Sequence, residues 1–88
     1  MKKALVTGGS RGIGFAIAKM LADKGYTVAV TGRNAAAIEK AAEKIGGNVI
    51  PIVWDASQID AADKKINETA EIIGGLDIVV NNAGIFAR

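Results

Sequence analysis

The chain has 88 residues, half of them hydrophobic and only 5% aromatic, with eleven Lys or Arg against nine Asp or Glu and so a net charge of +2. That length supports one domain with one core, and the basic residues, dispersed from Lys2 to Arg88, form no stripe suited to a nucleic-acid backbone. The absence of cysteine and histidine excludes disulfides, thiolate nucleophiles, imidazole bases and ordinary zinc sites. No run approaches the ~20 apolar residues of a membrane span, and MKKALVTGG lacks the apolar core of a secretory signal; the expected location is cytoplasmic.

Short apolar segments alternate with longer stretches of helical period, and turn residues stand at each junction. The first strand is predicted over Ala4–Thr7. A helix follows in which Ile13, Ile17, Met20 and Leu21 fall on one face, with Gly25 placed to end it. The second strand is predicted over Thr27–Thr31. Its helix takes Asn34 as N-cap, carries Ile38, Ala41, Ala42 and Ile45 on one stripe, and stops at Gly46-Gly47. The third strand, Val49–Val53, leads to a helix opening at Ser57 with Asp60 as a capping-box-like partner. That helix places Ile59, Ala62, Ile66, Ala70 and Ile73 inward before Gly74-Gly75. The fourth strand is predicted over Asp77–Val80. All four strands are apolar on both faces, as expected of parallel strands covered by helices.

Strand, crossover helix and parallel strand form a right-handed unit, and three such units give an α/β, Rossmann-like three-layer βαβαβαβ fold. The expected strand order is 3-2-1-4, a truncated doubly wound sheet making a single partial domain over 1–88. Two helices then cover one face and the third covers the other, with the topological switch between strands one and four.

Thr7-Gly8-Gly9-Ser10-Arg11-Gly12-Ile13-Gly14 puts four glycines in eight residues beside that switch. Helix-terminal N–H groups there favour negative charge. Bare Cα positions at Gly8, Gly12 and Gly14 suit a tight turn, the approach of a pyrophosphate, and close helix–sheet contact. The same glycines would also serve a merely tight βα connection. Phe15-Ala16 stands where a Walker loop needs Lys-Ser/Thr.

The segment Thr7–Gly14 resembles the TGxxxGIG signature of the short-chain dehydrogenase/reductase (SDR) family. Asn81-Asn82-Ala83-Gly84 is similar to that family's NNAG element, and Asp55 stands at the position of its adenine-contacting aspartate. The likeness spans the whole chain but only the first third or so of a usual member. It implies a nicotinamide dinucleotide with its pyrophosphate on the Gly8–Gly14 loop, Ser10 included, its adenine near Asp55, and Ile13, Asn82, Ala83 and Gly84 lining the cleft. Asp55 could equally accept loop N–H bonds, and the asparagines could tie strand ends together.

An NAD enzyme usually presents an acid after the second strand, where this chain has Gly32-Arg33. A guanidinium at Arg33, joined by Arg11, would hold a 2′-phosphate that a carboxylate would repel, so the expected cofactor is NADP rather than NAD. Both positions resemble those of the family's NADP-preferring branch.

The resembling enzymes pass hydride between nicotinamide and a carbonyl or alcohol, using a tyrosine whose phenol is acidified by the lysine of a Tyr-x-x-x-Lys pair. Here Tyr26 is the one tyrosine and Val30 takes the lysine's place, so Tyr26 is read as structural and no catalytic residue is assigned. The expectation is the cofactor-binding segment of an NADP-dependent oxidoreductase, catalytically incomplete by itself. The alternative is a stand-alone or engineered, self-associating nucleotide-binding fragment. Either way, a bare edge at Asp77–Val80 with an apolar patch beside it invites association with a second copy or with a missing C-terminal half.

Overall fold

The computed structural model describes residues 2–8, 12–54 and 62–80. In chain order they form β1 (Lys3–Val6), α1 (Gly12–Asp23), β2 (Thr27–Gly32), α2 (Ala35–Ile45), β3 (Val49–Val53), α3 (Ala62–Ile73) and β4 (Ile78–Val80). The strands pair in parallel in the order β3-β2-β1-β4. This is the Rossmann-like arrangement expected from the alternation of short apolar runs with helical periods.

Alternation along the central strands divides the core into two layers, because successive side chains leave a strand on opposite faces. Ala4, Val6, Val28 and Val30 pack against Ala18 and Leu21 of α1 and Ile38, Ala42 and Ile45 of α2. On the other face, Leu5 and Ala29 meet Ile73 of α3, with Ile50, Ile52, Ile66 and Leu76 around them. The first two helices therefore share one face and the third covers the other.

The expectation of continuous burial in every strand holds only for the centre of the sheet. β1 and β2 are buried over nearly their whole length, whereas β3 and β4 are half-exposed. Strand order is the cause: β3 and β4 are the two edges, each paired on one side. Pro51, which lacks an N–H, is exposed in β3 opposite Val30. An edge is where a strand tolerates that loss.

The expected inward face of α1 is also corrected. Leu21 is buried and Ile17 packs half-buried on the core as expected, but Ile13 and Met20 are more than half exposed, and Gly14 and Ala18 take their places on the buried face. Hydrophobic spacing alone selected the larger side chains. Close contact with the sheet selects the small ones, because a helix seated on Gly14 and Ala18 approaches the strands more nearly than one seated on isoleucine and methionine.

The stripe predicted for α2 is the buried one, comprising Ile38, Ala41, Ala42 and Ile45. Asn34 Oδ1 accepts the Ala37 N–H at 3.0 Å, and the Gly46 N–H donates to the Ala42 carbonyl at 3.0 Å. Both ends thus satisfy backbone groups that a helix cannot pair internally. The proposed start of the third helix at Ser57, with Ile59 and Asp60, lies outside the described residues.

β4 begins one residue later than predicted because Asp77 has another task. Its Oδ2 accepts the Lys3 N–H at 2.9 Å, and its own N–H donates to the Lys3 carbonyl at 2.8 Å. The Lys3 ammonium reaches the Gly74 carbonyl at 3.2 Å, placing a cation at the negative end of α3. These bonds hold the α3–β4 junction against the start of β1.

Candidate functional site

The carboxyl ends of β1, β2, β3 and β4 share one edge of the sheet, since all pair in parallel. α1 leaves that edge toward one face while α3 packs on the other, the switch in helix direction beside which open α/β sheets place their ligand crevice.

Two hydroxyl residues set the geometry of the corner after β1. Thr7, buried, donates its N–H to the Val80 carbonyl at 3.0 Å and its hydroxyl to the same oxygen at 3.4 Å. The Gly8 N–H donates to Thr31 Oγ1 at 3.3 Å. The end of β1 is thereby tied to β4 on one side and to β2 on the other. The role of Thr31 has one local signal in the sequence, a hydroxyl directly after the apolar run Val28-Ala29-Val30.

Because the Gly8 amide is turned toward Thr31, it is not among the donors aimed at the crevice. Among the described residues, the donors left for an anion at this corner are those of the first turn of α1, whose N–H groups have no intrahelical partner. That turn carries no acid, so nothing on it opposes the dipole's attraction for negative charge.

Gly12 opens α1 at φ 63°, a left-handed conformation that disfavours side chains. A Cβ built there would meet no protein atom within 4 Å. The absence of a side chain leaves open space over the helix terminus, and no packing among the described residues requires it. Gly14 is buried toward the sheet, and Ile13 is 58% exposed at the mouth of the corner.

Arg33 follows the last residue of β2 and precedes the N-cap of α2, with its side chain exposed. The register Val6↔Val30 sets Gly8 level with Gly32 on the adjacent strand, so Arg33 stands beside the corner at the same edge. Gly32 has a packing role that the sequence did not disclose: a Cβ there would lie 3.2 Å from Ile38 Cβ and 3.3 Å from its Cδ1. The Trp54 N–H donates to the Gly32 carbonyl at 2.9 Å, joining the end of β3 to the same edge.

Of the residues the sequence singles out, Gly8, Gly12, Ile13 and Gly14 lie between the end of β1 and the first turn of α1, and Arg33 directly follows β2, so all five stand at the carboxyl edge of the sheet. Ser10, Arg11, Asp55, Asn82, Ala83 and Gly84 lie outside the described residues. Tyr26 packs, half-buried, against the first core layer at the amino end of β2, remote from this edge. Among the described residues no three His, Cys, Asp or Glu side chains gather as a metal site, and no helix is long and apolar enough to cross a membrane.

Residues 2–88 match the family model of the short chain dehydrogenases. The chain is 49% identical over 86 residues to an NADP-dependent (R)-specific alcohol dehydrogenase of Lentilactobacillus kefiri, covering 96% of this chain and 34% of that protein. It is 43% identical over 88 residues to a 3-oxoacyl-(acyl-carrier-protein) reductase of Chlamydia muridarum, covering 96% and 36%. Among solved structures, salutaridine reductase from Papaver somniferum superposes with a TM-score of 0.82 at 34% identity, over 93% of this chain and 30% of that one. The chain spans about a third of the length of these relatives.

Proposed function

The chain belongs to the short-chain dehydrogenase family, and from that premise we propose that it is the dinucleotide-holding segment of an NADP-dependent oxidoreductase acting on a carbonyl or alcohol. The observation that carries this reading is the open space over Gly12 at the start of α1, on the carboxyl edge of a sheet ordered β3-β2-β1-β4. A pyrophosphate there would lie along the first-turn amides of α1, with Ile13 at the mouth and Gly8 and Gly14 shaping the walls. Ser10, Asp55, Asn82, Ala83 and Gly84 are assigned to the same cleft by family likeness. A bound nicotinamide would supply or accept the hydride. The residues of this chain bind and orient the cofactor.

The preference for NADP rests on Arg33, exposed beside the corner, with Arg11 as its partner in the loop. The name of the L. kefiri relative agrees with it. Replacing Arg33 with alanine should weaken 2′,5′-ADP by about tenfold, the effect of losing one charge-assisted contact to phosphate, and should leave 5′-AMP nearly unchanged. Isothermal titration of both ligands checks this, and equal weakening of the two would remove Arg33 from the phosphate pocket.

We assign the β4 edge to association, either with a second copy or with the remaining two-thirds of the family fold. Val79 on β4 and Ile72 on α3 are 46% and 63% exposed, and an open strand edge beside apolar side chains is a template for pairing. Sedimentation of the 88-residue chain should show a weight-average mass rising with concentration; a constant monomer mass would contradict the assignment for this chain.

A further inference from the structure

A groove of about 310 Å³ lies on the outer face between α1 and α2, lined by Phe15, Ala37, Lys40, Ala41 and Lys44. Its floor is apolar: Phe15 is half-buried and Ala41 is almost fully so. Both charged residues in its wall are lysines, and neither forms a salt bridge among the described residues, where Lys19–Asp23 is the pair that does.

The charge pattern of α2 sharpens the point. Lys40 and Lys44 stand one turn apart on one face, and Glu39 and Glu43 stand one turn apart on the next. Like charges at i,i+4 oppose helix formation, while Lys40 and Glu43, three residues apart, are neighbours of opposite sign. The helix C-terminus favours Lys44. What the segregation does achieve is two ammonium groups over an apolar floor, in a volume of the size that holds small ligands.

We propose that this groove is a second small-molecule site, independent of the crevice at Gly12, that takes an amphiphilic carboxylate: an apolar body laid on Phe15, Ala37 and Ala41, with its carboxylate between the ammonium groups of Lys40 and Lys44. The charge complementarity selects an anion, and the floor selects one with a hydrocarbon portion.

The test uses octanoate and its neutral counterpart octanol, titrated into the ¹⁵N-labelled 88-residue chain. Octanoate should produce saturable amide shifts centred on Phe15, Ala37, Lys40, Ala41 and Lys44. The variant carrying Lys40→Gln and Lys44→Gln should bind it about tenfold more weakly, as expected for two partly exposed ion pairs. Both substitutions are on exposed positions and keep helix propensity, so the fold should persist; raising the salt concentration on the unaltered chain tests the same electrostatic contribution without mutation. Octanol binding as tightly as octanoate, unchanged affinity in the double variant, or shifts centred on Val79 and Ile72 instead would each overturn the proposal.

Discussion

Ile38→Ala is expected to lower the unfolding free energy by about 2–5 kcal/mol, the range for removing a buried branched side chain and leaving a partly collapsed cavity. A chain of this length is stable by only about 4–13 kcal/mol at typical per-residue values, so the variant should approach the limit of folding. Ile38 is fully buried in the layer that joins α2 to β1 and β2. Alanine has the higher helix propensity, but the gain is under ~1 kcal/mol and cannot offset the lost packing. Ile72→Ala on exposed α3 is the matched comparison and should change stability by no more than about 0.5 kcal/mol. Urea unfolding followed by circular dichroism measures both. A loss below about 1 kcal/mol at Ile38 would show that α2 contributes little to the fold.

Ile38 also links the core to the cofactor edge. The side chain missing at Gly32 would press on Ile38 at 3.2 Å, closer than most real contacts allow, so an acid at that position requires the isoleucine to yield by a few tenths of an ångström. The glycine that would spare the proposed 2′-phosphate a carboxylate is therefore also the glycine that lets α2 close on β2. The two roles act in the same direction, and neither replaces the other.

Legibility in the sequence followed burial. The order of elements and the face of α2 could be read because Ile38, Ala41, Ala42 and Ile45 are both the apolar stripe and the buried one. α1 could be read only in part: Leu21 is buried as its spacing predicts, but the rest of the buried face is Gly14 and Ala18, whose small size brings the helix near the sheet, while Met20, apolar and large, faces outward. Strand order could be anticipated from the βα alternation, but its consequence for β3 and β4 requires knowing which strands are edges. At the site, glycine spacing marks where a backbone must be bare. It says nothing of which amides are already used, and only coordinates assign the Gly8 N–H to Thr31. The Lys3–Asp77 clip joins residues far apart in sequence, with no local signal in either segment.

Alanine substitutions at the two ends of α1 test the proposal that an anionic diphosphate occupies the open space over Gly12. Gly12 and Gly25 both have positive φ, 63° and 91°, and a Cβ at either meets no protein atom within 4 Å. Each alanine should therefore carry only backbone strain, about 1–2 kcal/mol. The ligand is what separates them. At Gly12 the added methyl projects into the volume assigned to the pyrophosphate, whereas Gly25 lies beyond the far end of the helix. Measured at a temperature where both variants remain folded, Gly12→Ala should weaken NADP by roughly ten- to a hundredfold, the loss of one or two charge-assisted contacts. Gly25→Ala should stay within about twofold of the unaltered chain. Equal affinities for the two variants, or an unaltered chain that does not bind the dinucleotide at all, would contradict the claim.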